Sequence, residues 1–182
     1  LAVCSDLHLE FGDLVLRNEE NADVLLLCGD ILVAKDLDLL HDPILDDGSL
    51  QAQRFYNFVE NCCKEFKMVL YVMGNHEHYH GDFATSYKTL KERLGYLANL
   101  HIMEKEFFVL GSVCFAAGTL WTDMNKEDPV TIQGIKGYMN DYRIIEDSAE
   151  VVNFSVPVYG LKEDGTRDWD NVVSKEFHTR PA

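Results

Sequence analysis

Short runs of consecutive apolar residues alternate with longer stretches whose apolar positions recur every three or four residues, and this alternation organises the first two thirds of the chain. Leu1–Ser5 and Asp23–Cys28 are strand-like, and the second (DVLLLC) reads as a strand buried on both faces. Gln51–Phe66 sets Phe55, Phe58, Val59, Cys62, Cys63 and Phe66 at helical spacing, the stripe of an amphipathic helix. Met68–Met73 is the next strand. Tyr87, Leu90, Leu94 and Leu97 mark a second helix, and Leu100–Met103 a further short strand. Strand, helix and strand in this order predict an α/β domain with parallel pairing. Phe107–Leu110 and Val113–Ala117, separated by Gly111-Ser112, predict a hairpin. Beyond Asp123 the pattern weakens to one short helix at Ile132–Tyr138, followed by a polar stretch with scattered glycines. With no repeat or linker in view, residues 1–182 are expected to form a single domain.

Composition narrows the functional classes. Hydrophobic residues make up 47% of the 182, enough for a substantial core. No apolar run approaches the roughly 20 residues of a membrane helix. No basic, apolar leader is visible either, so a cytoplasmic location is expected. Leu1 falls inside the first apolar run, so the natural start is expected upstream. The net charge of −15 repels polyanions and argues against non-specific nucleic-acid binding and against anionic membranes. A small phosphorylated substrate stays open, because divalent metals reverse the sign of the local field. Five cysteines, none in C-x-x-C spacing, are expected to be small buried hydrophobes in a reducing cytosol.

Three strand ends share one design: Ser5-Asp6-Leu7-His8, Gly29-Asp30 and Gly74-Asn75-His76-Glu77. Each follows an apolar run with metal-competent side chains, and parallel sheets gather ligands at the carboxyl ends of their strands. Asp6 and His8 are two apart, so extended-chain alternation would aim both to the same side. Glycine before Asp30 and before Asn75 permits sharp turns and close backbone approach. Hard oxygens mixed with imidazole, without thiolate, suit Mn²⁺, Fe, Zn²⁺ or Ni²⁺.

D-x-H, then G-D, then G-N-H-E resembles the first three motifs of the calcineurin-like metallophosphoesterases. The resemblance implies an α/β fold, a four-layer αββα sandwich. It also implies hydrolysis of a phosphomonoester or phosphodiester by a metal-activated water at a dinuclear site. Its cofactors would be two divalent metal ions, Mn²⁺ foremost. It assigns Asp6 and His8 to the first metal, Asp30 to a bridge between both ions, and Asn75 to the second. His76 would stand beside the phosphate as the catalytic residue. Gly118-Thr119-Leu120-Trp121-Thr122-Asp123 and Asn140-Asp141-Tyr142-Arg143 resemble segments of one bacterial and phage branch. The family's later histidines, among them a G-H-x-H pair, have no counterpart here. Only His101 and His178 lie beyond His80, so the back half of the site is expected to be missing.

Other readings have less to stand on. His76-Glu77-His78-Tyr79-His80 matches the zinc-protease motif H-E-x-x-H, which works only on a helix, and the flanking Gly74-Asn75 and Gly81-Asp82 leave little room for one. His78 and His80 are expected to face solvent or the substrate edge, and Glu77 to orient a neighbouring backbone or ligand. Glu10, Asp13 and the stretch Asp36, Asp38, Asp42, Asp46, Asp47 lack calcium-loop spacing and are expected to be solvated acidic loops. No P-loop, dinucleotide-binding or G-x-S-x-G motif occurs. The second functional class is a non-catalytic interaction module on the same fold, which the absent later histidines favour and the complete front set disfavours.

Overall fold

Four parallel strands form the sheet that carries the strand ends: β1 (Ala2–Cys4), β2 (Val24–Cys28), β3 (Met68–Val72) and β4 (Leu100–Met103), side by side in chain order. The structure, a computed structural model, describes residues 1–41 and 46–148 and the backbone of two further strands, 153–161 and 167–178. Leu26 is in register with Val3 on one side and Leu70 on the other, and Leu70 in turn with His101. The pleat sends alternate residues to opposite faces. Leu25, Leu27, Val69, Tyr71 and Ile102 belong to the main core, whereas Val24, Leu70 and Met103 form a second one. The expectation of a strand buried on both faces thus holds for β2.

The main core is closed by a 3₁₀ segment, Ala34–His41, and by α1 (Asp46–Glu65) and α2 (Phe83–Leu94). The α1 stripe of Phe55, Phe58, Val59 and Cys62, with Phe66 just beyond the helix end, is buried in the main core that β2 and β3 share, together with Leu90 and Leu94 of α2. Each such side chain contributes about 1.5–3 kcal/mol of burial. α1 starts ahead of the expected Gln51. α2 stops at Leu94, and Leu97 reaches the core from the turn that follows. The N-terminus of α2 is capped by Asp82, whose side chain accepts the N–H of Ala84 at 2.9 Å.

A hairpin of β5 (Glu106–Leu110) and β6 (Val113–Ala117) covers the second core through Phe108, Phe115 and Ala117. Gly111 opens its two-residue turn at φ +60°, the left-handed geometry such turns require. Helices, parallel sheet and hairpin therefore stack as successive layers of a mixed α/β fold, consistent with the metallophosphoesterase sandwich. Downstream lie a left-handed turn at Met124–Glu127 and the helices α3 (Pro129–Tyr138) and α4 (Asp141–Ile144). α3 extends the expected Ile132–Tyr138 by three residues to Pro129, behind an Asp128 cap. After α4 the chain pairs with the residues ahead of α2: His80 N–H donates to Ile144 O at 2.8 Å and Glu146 N–H to Gly81 O at 2.9 Å. β7 (Asn153–Leu161) and β8 (Arg167–His178) pair antiparallel where the sequence pattern predicted no element. Phe154, Val156 and Val158 do alternate along β7, with Ser155 and the strand-disfavouring Pro157 between them.

No helix among the described residues is long and apolar enough to cross a membrane. The five cysteines are free; Cys62 is buried as expected, whereas Cys28 and Cys114 are exposed.

Candidate metal centre

The three strand ends meet. Beyond β1 the chain keeps hydrogen-bonding along the end of β2: Asp6 N–H donates to Gly29 O, His8 N–H to Asp30 O and Leu9 N–H to Ile31 O, each at 3.0 Å. The segment is not extended, however. Asp6, His8 and Asp30 have φ of 54°, 47° and 54°, a left-handed conformation that costs about 1–3 kcal/mol per residue. Asp6 and His8 therefore converge through this folded-back geometry, and the expected strand alternation is corrected. Ligand atoms of Asp6, His8 and Asp30 all lie within 4.8 Å of one another.

Glycines let β2 and β3 close in on each other. Gly29 stands at φ +87°, and a Cβ there would lie 2.8 Å from the Gly74 nitrogen. A Cβ on Gly74 would lie 2.2 Å from Asp30 Oδ1. This cradle and the hard oxygen–imidazole donor set fit a divalent cation.

Glu77 ties the ends together. Its side chain is fully buried. Oε2 accepts the N–H groups of Asp30 at 3.0 Å and Gly74 at 2.6 Å, and Oε1 accepts Ile31 N–H at 2.8 Å and the Tyr71 hydroxyl at 2.7 Å. Burial pushes the Glu77 carboxyl up, opposed by those same four hydrogen bonds. Burial, then the charge of Glu77, pushes the Tyr71 hydroxyl well above its ordinary range. His76 N–H donates to Asp30 Oδ1 at 2.9 Å, so the catalytic candidate and the bridging candidate are fastened to each other.

Asn75 lines the same cleft as Asp6 and Asp30, a space of about 430 Å³. Its side-chain amide donates to the Tyr79 hydroxyl at 3.3 Å, and Tyr79 stacks on His76 with ring centres 3.9 Å apart. Both weaker sequence pointers reach this place. Gly118, Thr119, Leu120 and Trp121 line the cleft, with the Thr119 hydroxyl 2.8 Å from Met73 O. Burial, then the Asp141 carboxylate, pushes the Tyr79 hydroxyl upward.

Two expectations change, for His78 and Glu10, and the rejection of the H-E-x-x-H motif holds. His78 is buried against Phe83 and near Trp121, with Nδ1 lacking a hydrogen-bond partner among the described residues, and burial lowers its pKa; His80 alone of the pair is exposed. The H-E-x-x-H reading fails because the 3₁₀ turn ends at His78 and Tyr79 is extended, so His76 and His80 share no helix face. Glu10 is no solvated acid: its Oε1 lies 2.7 Å from His76 Nδ1 and 3.2 Å from His8 Nδ1. The spacing Asp6-x-His8-x-Glu10, with leucines between, was its signal in the sequence.

The calcineurin-like phosphoesterase model matches residues 1–180. The chain belongs to the calcineurin-like phosphoesterase family. No curated protein matches it in sequence. A solved structure, the phosphopantetheinyl hydrolase of Mycobacterium tuberculosis, superposes with a TM-score of 0.52 at 13% identity, over 82% of this chain and 56% of that one. The likeness concerns the fold, and this family member spans little more than half of that protein's length.

Proposed function

We propose that this chain is a metal-dependent phosphoester hydrolase acting on a small phosphorylated substrate, a phosphomonoester or phosphodiester, in the cytoplasm. The observation that carries the reading is the meeting of Asp6, His8 and Asp30 within 4.8 Å at the carboxyl edge of the parallel sheet. Asp6 and His8 would hold one divalent ion, Asn75 a second, and Asp30 would bridge the two, with Mn²⁺ the first choice and Fe, Zn²⁺ or Ni²⁺ the alternatives. When bound, such ions polarise the phosphoryl oxygens and acidify water at neutral pH. Glu77 holds the backbone of Asp30 and Gly74, and the His76 N–H holds the Asp30 carboxylate, so the ligand set would be preorganised. His76, its ring stacked on Tyr79 and its backbone bonded to Asp30, would donate a proton to a leaving oxygen. The cleft wall from Gly118 to Trp121 faces the ligand set and would shape substrate entry.

The test is hydrolysis of p-nitrophenyl phosphate and bis-p-nitrophenyl phosphate by the purified chain, with Mn²⁺ and with chelator, beside Asp30→Asn. Metal-dependent turnover that falls at least about 100-fold in the variant is expected. Folded protein without metal-dependent turnover of either ester overturns the reading and favours the interaction module.

A further inference from the structure

We propose that Glu10 sets the tautomer of both functional imidazoles, so that one carboxylate positions His8 and His76 together; this rests on the roles just given to those histidines. Glu10 Oε1 lies 2.7 Å from His76 Nδ1 and 3.2 Å from His8 Nδ1, and the two Nδ1 atoms are 3.2 Å apart. One carboxylate oxygen has lone pairs for two donors, so it can accept an Nδ1–H from each ring. The proton on either ring is then committed to Nδ1, and Nε2 is the nitrogen left free. For His8 that nitrogen is the one available to an ion shared with Asp6 and Asp30. For His76 it is the one left to exchange a proton with substrate, accepting in the neutral ring and donating to a leaving oxygen only while the ring carries a second proton.

The surroundings of Glu10 favour this role. Its side chain is only 13% exposed, and Oε2 is buried without a hydrogen-bond partner among the described residues. The two rings are thus the partners that hold the carboxylate inside the site, and a buried acid without them would be unfavourable. The same three residues stand close enough to ligate an ion themselves. The 2.7 Å separation of Glu10 and His76 speaks against that. It is a hydrogen-bond length, whereas two ligands each about 2.1 Å from a tetrahedral ion stand about 3.4 Å apart.

The experiment is a long-range proton–nitrogen NMR correlation on the Zn²⁺-loaded chain with ¹⁵N-labelled histidine, His8 and His76 being assigned through His8→Asn and His76→Asn. The expected spectrum shows both rings protonated at Nδ1. In Glu10→Ala the His76 ring should redistribute toward Nε2–H, and Zn²⁺ affinity, read by calorimetry, should fall about 10–100-fold through His8. An Nε2–H tautomer on either ring of the unaltered chain, or zinc ligation through Nδ1, overturns the proposal. That spectrum decides even where Glu10→Ala fails to fold. A chain with both Nδ1–H tautomers that cleaves no phosphate ester would leave the role of Glu10 standing and remove only the hydrolase reading.

Discussion

Asp30 and Glu77 are joined reciprocally: Glu77 Oε2 accepts the backbone N–H of Asp30 at 3.0 Å, while Asp30 Oδ1 accepts the N–H of His76, the residue before Glu77, at 2.9 Å. The ends of β2 and β3 are closed into a ring by these two bonds. One buried carboxylate thus serves stability and site geometry at once.

Glu77→Ala should therefore be far more damaging than an ordinary substitution. It strands three backbone N–H groups and the Tyr71 hydroxyl in the interior. A loss of at least about 3 kcal/mol is expected in urea denaturation. A loss below about 1 kcal/mol would mean that water replaces the carboxylate and that the clamp has no structural weight.

Gly74→Ala should disturb the site at the point where the ends of β2 and β3 close in. Its new Cβ would meet Asp30 Oδ1 at 2.2 Å and the Asp30 nitrogen at 2.7 Å, forcing the carboxylate aside. Calorimetric Mn²⁺ affinity should drop more than about tenfold. Gly134→Ala is the control: it lies in α3 with nothing within 4 Å of its Cβ, and should add up to about 1 kcal/mol without touching Mn²⁺ affinity. Equal metal affinity in both variants would remove the cradle argument.

His78 links folding to pH. Burial lowers its pKa below the ordinary 6.5, and Glu104 opposes this only in part. As pH falls below 6.5 the unfolded chain takes up the proton while the folded chain resists it, so this contribution to stability is complete above 6.5 and is lost downward to the folded pKa. His78→Phe, which keeps a ring against Phe83 and Trp121, should flatten that part of the profile. Identical pH slopes in urea denaturation of the two proteins would show that His78 is not the group responsible.

The thiols should react in order of exposure. Burial pushes Cys62 up to about 12 and Cys63 up to about 11, whereas Cys114 is exposed. Ellman's reagent at mildly alkaline pH should label Cys114 quickly and Cys62 only after denaturation, with mass spectrometry identifying the sites. Early modification of Cys62 would contradict its place on the buried face of α1.

Local pattern made much of the fold legible. The α1 stripe and the run DVLLLC are consequences of burial acting on neighbouring residues, and they predicted both the elements and their buried faces. Pattern was weaker in β7 and β8: Pro157 and Gly160 interrupt the alternation of β7, and β8 is mostly polar.

By itself the sequence determined the order of strand, helix and strand, the three clusters of metal-competent residues, and the glycines that allow close approach. Each of these is written in residues adjacent in the chain. Tertiary structure decided which side chains meet. Glu10 finds His76 across 66 residues, and Glu77 finds Asp30 across 47, so neither pairing leaves a periodic trace. It also decided that Asp6, His8 and Asp30 take left-handed backbone, a strained choice that local preference disfavours and that only the hydrogen bonds and packing of the joined strand ends can hold.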